Sequence, residues 1–119
     1  MTRKIVLDHG TGAKLSRELV EFIVGILGDV YIGEMEDSAL LSLPTTRIAM
    51  TTDSFVVDPL IFGNGDIGKI AVCGTVNDLA VVGATPQYLT LALIIETGLP
   101  FSDLERVLVS IRDTAREAS

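Results

Sequence analysis

The order of patterns along the chain predicts an α/β (α+β) fold, a small sheet with helices packed on it. Three observations carry that expectation. Apolar residues recur at helical spacing near residues 15–23 and again from residue 104 onward. A third helical stretch, 66–82, is apolar nearly all round. Between them, residues 47–57 and 87–95 read as strands, so the order is helix, strands, helix, strand, helix.

The first helix is predicted from Leu15, Leu19, Phe22 and Ile23, which share one face. Ser16 or Lys14 marks its start and Gly25 or Gly28 its end. Residues 39–43 form a short apolar run, Pro44-Thr45-Thr46 a turn, and Arg47–Val57 a β-branched run, together a plausible hairpin closed by Pro59. Gly63-Asn64-Gly65 is a loop. Asp66 is a good N-cap for the long helix, Gly83 fits its C-terminal turn, and Pro86 follows at the expected distance. Residues 87–95 are apolar on both faces, as a central strand is. Ser102 and Glu105 have capping-box spacing ahead of a last helix with Leu104, Val107, Leu108, Ile111 and Ala115 on one face.

Composition bounds the function. The 119 residues make one domain's worth of chain, 48% hydrophobic and 21% charged, which is globular and not disordered. A net charge of −7 disfavours nucleic acid, and no apolar run is long enough to span a membrane. The N-terminal apolar stretch is too short for a secretory signal, so a cytoplasmic location is expected. The single cysteine, Cys73, excludes an intrachain disulfide and reads as a small buried hydrophobe. An acidic protein still binds nucleotides when its carboxylates hold Mg²⁺.

Four places carry chemistry. Thr75, Asn77 and Asp78 interrupt the apolar helix. An ionised carboxylate in an apolar setting needs a cation, a hydrogen-bond set or an opening to solvent. Asp78 is therefore either a ligand or a cap on a neighbouring loop. Asp53 lies within a strand pattern, where Asp is disfavoured, so it is either functional or a strand end. Asp37 on its own is a solvated loop acid; with Asp53 and Asp78 it makes a possible Mg²⁺ cluster. Gly10-Thr11-Gly12-Ala13-Lys14 has the composition of a phosphate cradle without P-loop spacing, and a flexible loop is the plainer reading. His9 beside it reads as a surface residue.

Taken together these segments resemble one family. Asp8-His9-Gly10-Thr11-Gly12-Ala13-Lys14 is similar to the Asp-His-Gly-Ser-Gly-Gly-Lys opening of HypE-type hydrogenase maturation proteins, members of the AIR synthetase superfamily. Thr51–Val57 resembles their Thr-Thr-Asp-Ser-Tyr/Phe-Val-Val strand, and Cys73-Gly74-Thr75-Val76-Asn77-Asp78-Leu79-Ala80 resembles their long helix almost letter for letter. The resemblance covers essentially residues 1–119 as an N-terminal ATP-binding and dimerisation domain.

The resemblance implies an AIR synthetase-like N-terminal domain whose β-barrel is completed in a homodimer, with ATP and Mg²⁺ as cofactors. It implies ATP-dependent dehydration of a cysteine-bound carboxamide to a thiocyanate, the source of cyanide for the [NiFe]-hydrogenase iron. Its implied partners are the carbamoyltransferase HypF and the HypC–HypD complex. By position it makes Asp37, Asp53 and Asp78 the metal acids, and Gly10, Thr11, Gly12, Lys14, Thr75 and Asn77 the nucleotide contacts. Lys69 is either a phosphate contact or a surface lysine. No catalytic residue is assigned.

Ala13 stands where the family pattern has glycine. The family also continues beyond this point with a Gly-Asp-Thr-Lys strand, a C-terminal domain and a terminal cysteine. The expectation is thus a shortened domain that binds nucleotide and dimerises without dehydrating anything alone. Two rivals stay open: another superfamily enzyme, or a non-catalytic dimerisation module. Selenophosphate synthetase fits less well, because its N-terminal loop usually carries Cys or selenocysteine and this one carries neither.

Overall fold

The structure, a computed structural model, describes residues 3–35 and 37–118. Three helices form its packed layer: α1, Ala13–Leu27; α2, Ile67–Ala80; and α3, Phe101–Ala118. Short 3₁₀ turns, Leu7–Gly10 and Gly28–Val30, lead into and out of α1. A small antiparallel hairpin, β1 Ile61–Phe62 and β2 Gly65–Asp66, precedes α2. Gly63 takes φ 33° at the first position of its two-residue turn, where such hairpins favour glycine.

The core lies between the helices. Leu104, Val107, Leu108 and Ile111 follow the i, i+3, i+4, i+7 rule along α3 and are all buried, Leu108 completely. Val72 from α2, Leu27 from α1 and Ile5 from the N-terminal segment close over them, with Phe22, Ile23 and Ile67 packed at the edge. Helices α2 and α3 cross closely because Gly68 has no side chain: a Cβ there would stand 2.4 Å from the Val107 carbonyl oxygen.

Each helix end has a local cause. Asp66 is the N-cap expected for α2, its Oδ1 accepting the Lys69 N–H at 3.1 Å. At the other end, Gly83 N–H donates to Ala80 O and Ala84 N–H to Leu79 O, with Gly83 at φ 76°, a Schellman closure. Helix α3 begins at Phe101, two residues earlier than the capping-box spacing suggests, and Pro100 O accepts the N–H groups of Asp103 and Leu104. Ser102 therefore sits in the first turn. The N-terminal segment is tied to this point. Ile5 N–H donates to Leu99 O, Gly98 N–H to Ile5 O and Phe101 N–H to Arg3 O.

Two expectations need correction for the single chain. Residues 37–60 and 84–96 contain no strand ladder, so neither the 39–57 hairpin nor the 87–95 strand forms there. The two segments are linked by Tyr88 Oη donating to Ser42 O at 3.0 Å. Leu40, Met50, Val56 and Ile94 are 85–104% exposed. Nor is α2 buried all round: Gly68, Val72 and Leu79 are buried, whereas Lys69, Cys73, Asn77, Asp78 and Ala80 are exposed. The physical reason is common to both. A strand or an apolar helix face needs a second surface, and the helical layer supplies one side only. The chain is accordingly spread out, with a radius of gyration of 15.3 Å and extents of 48 × 35 × 21 Å. A compact domain of this length has a radius of about 13.5 Å.

Candidate nucleotide and metal site

The glycine-rich loop is built and held, not loose. Residues 7–10 wind as a 3₁₀ turn in which Thr11 Oγ1 donates to Asp8 O at 3.0 Å. His9, read from sequence as a surface residue, is buried. Its Nδ1 accepts the Val6 N–H at 2.9 Å and its ring centroid lies 5.4 Å from that of Phe101. Phe22 meets Phe101 edge-on at 5.0 Å and the Arg3 guanidinium sits 4.1 Å over the same ring. The loop is thereby anchored to the start of α3.

Beyond the anchor the chain turns into α1 through two residues of positive φ, Gly12 at 87° and Ala13 at 61°. For Ala13 this left-handed geometry costs about 1 kcal/mol or more. The glycine expected at this place in the resemblance would meet no such cost. Gly12 offers no capping side chain, and no acid sits in the first turn of α1. The leading N–H groups of a helix have no partner within it, and together with the positive end of the helix dipole they favour anions. Lys14 is exposed, with only a long 3.9 Å pairing to Glu18. This is an end suited to phosphate oxygens.

The second half of the candidate site lies on α2. Gly74 gives room for Phe55: a Cβ there would be 2.7 Å from the Phe55 ring. That contact presses the segment carrying Asp53 onto the helix carrying Thr75, Asn77 and Asp78. Asp53 is exposed, one oxygen taking the Ser54 N–H at 2.8 Å. Asn77 and Asp78 are exposed and Thr75 half-buried. Asp78 therefore has its opening to solvent, so its charge costs little. Asp37 is exposed in its loop. Among the described residues, no three His, Cys, Asp or Glu side chains stand together as a metal-holding group. Phe55 thus seats the segment carrying Asp53 on α2 at Gly74, and among the described residues Asp37, Asp53 and Asp78 form no closed group. Exposed carboxylates of this kind fit Mg²⁺, which keeps waters and phosphate oxygens among its ligands. Cys73, expected buried, is exposed.

A separate polar cluster lies at the start of α2, where Asn64, Asp66, Lys69, Arg106 and Ser110 line a cleft of about 280 Å³. Asp66 is buried there and accepts hydrogen bonds from Lys69 N–H and the Ser110 hydroxyl, one on each carboxylate oxygen, a structural role as the cap of α2. Two features of the site were not readable from spacing. Ser16 does not start α1; it braces the loop, its Oγ donating to His9 O at 2.6 Å and accepting Gly12 N–H at 2.9 Å. Ser110 completes the Asp66 cap from another helix. A serine one turn past a glycine N-cap is the signal for the first; nothing local signals the second.

Residues 35–119 match the family described as AIR synthase related protein, N-terminal domain. The chain belongs to that family. Within it, the chain is similar to the carbamoyl dehydratase HypE of Escherichia coli K12, at 42% identity over 96% of this chain and 36% of the relative. It is 46% identical to the HypE of Rhodobacter capsulatus over 97% of this chain and 34% of that protein. The crystal structure of hydrogenase maturation protein HypE in complex with ATP matches with a TM-score of 0.89 and 43% identity, over 96% of this chain and 34% of that one. The chain therefore spans about a third of the length of the proteins it resembles. Among the described residues, no helix is long and apolar enough to cross a membrane.

Proposed function

We propose that this chain is the ATP-binding part of a HypE-type hydrogenase maturation factor. The observation that carries the reading is the 0.89 TM-score match, at 43% identity, to a HypE structure that holds ATP. The local geometry supports it. The uncapped start of α1, with Gly10, Thr11, Gly12 and Lys14, receives phosphate oxygens. We take Thr75 and Asn77 on α2 as the further nucleotide contacts. Asp53 and Asp78, joined by Asp37, hold Mg²⁺ through the nucleotide's phosphates; the metal supplies charge neutralisation for the triphosphate against an acidic protein. A cage made wholly of protein is unnecessary for Mg²⁺, which keeps waters and phosphate oxygens among its ligands.

In this reading a second copy of the chain pairs with residues 39–57 and 87–95 and completes a barrel. The whole protein, acting in the cytoplasm, activates a cysteine-bound carboxamide by phosphoryl transfer and releases a thiocyanate for the hydrogenase iron, with HypF and HypC–HypD as its partners. The chain alone binds nucleotide and dimerises.

Calorimetry with ATP and Mg²⁺ tests this. Heat of binding that weakens at least tenfold in Asp53→Ala and Asp78→Ala supports the site. Dimerisation without any nucleotide affinity supports the alternative, a pure interaction module.

A further inference from the structure

We propose that Ser16 is a positioning residue for the nucleotide, its hydroxyl presetting the Gly10–Ala13 turn before any phosphate arrives. The inference rests on the reading of that turn as the phosphate cradle.

Ser16 lies in the fourth residue of α1, one place beyond the position from which a capping box reaches back to the N-cap. Its Oγ donates to His9 O at 2.6 Å and accepts Gly12 N–H at 2.9 Å. One hydroxyl thus bridges the residue before the glycine turn and the residue after it. The near end of the bridge is fixed. His9 is 7% exposed, its ring packs on Phe101, and Phe101 is itself 5% exposed in the core. Order passes from the core to Phe101, to His9, to Ser16 and so to Gly12.

The far end needs that brace. Gly12 and Ala13 hold φ of 87° and 61°, and a residue with a Cβ rarely stays in that region unaided. The bridge keeps the following N–H groups, those of the uncapped first turn, pointing into one space. A turn fixed beforehand loses less conformational entropy when a ligand docks. Ser16 touches no phosphate in this account; it acts through Gly12.

The test compares Ser16→Ala and Ser16→Thr with the unaltered 119-residue chain. Two quantities are measured: MgATP affinity by calorimetry, and amide exchange at residues 10–13 without nucleotide. Loss of one bridging hydroxyl is expected to weaken MgATP about five- to tenfold and to speed exchange across the turn, with Ser16→Thr restoring both. The melting temperature of the helical layer stays within a few degrees. Unchanged or tighter binding by Ser16→Ala, beside normal binding by the unaltered chain, overturns the role of Ser16 alone. An unaltered chain with no MgATP affinity overturns the nucleotide reading itself.

Discussion

The helical layer and the two long extended segments are made of equally apolar sequence and end in opposite states. In the layer, Leu104, Val107, Leu108 and Ile111 find partners on α1 and α2 and are at most 8% exposed. In the segments, Leu40, Met50, Val56 and Ile94 find none and stand 85–104% exposed. The difference lies in the number of surfaces each needs. A helix stripe is satisfied by one neighbouring element. A strand needs hydrogen-bonding partners on its edges as well as cover on its faces, and this chain offers only the cover of α2. Apolar surface of this extent marks an association site.

The sharpest way to break the comparison is to mutate both sides. Leu108→Ala removes a fully buried side chain and is expected to cost about 2–5 kcal/mol in denaturant unfolding, whatever the protein concentration. Ile94→Asp leaves the helical layer intact and weakens self-association, so its effect on melting depends on concentration. Equal, concentration-independent losses from both would erase the distinction.

Two glycines repeat the contrast on a smaller scale. At Gly68 a Cβ meets the Val107 carbonyl backbone, so Gly68→Ala is expected to cost about 1–3 kcal/mol by calorimetric melting. At Gly74 it meets only the Phe55 side chain, which is free to swing away on the open side. Gly74→Ala should therefore cost less and act on the extended segment. A larger loss at Gly74 would show that the open side is as firmly packed as the layer.

Ala13→Gly relieves a left-handed alanine and is expected to gain up to about 1 kcal/mol in melting experiments, less the backbone entropy that glycine adds to the unfolded chain. The smallest effect concerns Asp29. The hydrogen bond from Arg116 holds its carboxyl below the usual carboxylate range, against a weaker opposing push from desolvation. A lowered folded pKa contributes stability at neutral pH that disappears as acid protonates the group through that lowered value. Arg116→Ala should flatten the acid limb of the stability curve slightly, and an unchanged limb would dismiss the pair. Both partners are exposed, so the contribution is small.

Much of this was legible in the sequence because it is local. The stripe on α3, the Asp66 cap and the Gly83 closure each depend on residues within a few positions of one another. The ladder-free course of residues 47–57 and 87–95 was not, because alternation and β-branching report that a segment suits a sheet and not whether its neighbour is present. The same limit applies to the site. The Gly10–Lys14 loop and Asp78 on α2 were visible as candidates, whereas the burial of His9 depends on Phe101, some ninety residues on. Asn77 and Asp78 looked like polar intrusions in a buried helix. They are instead exposed, while Val72 and Leu79 of the same helix are buried.

Everything turns on whether that missing surface is a second copy. Light scattering or sedimentation equilibrium at micromolar concentration gives the answer as a mass. The account predicts twice the 12.7 kDa of one chain, falling to a single chain in Ile94→Asp. A mass of one chain for the unaltered protein, with the extended segments still uncovered, would contradict it.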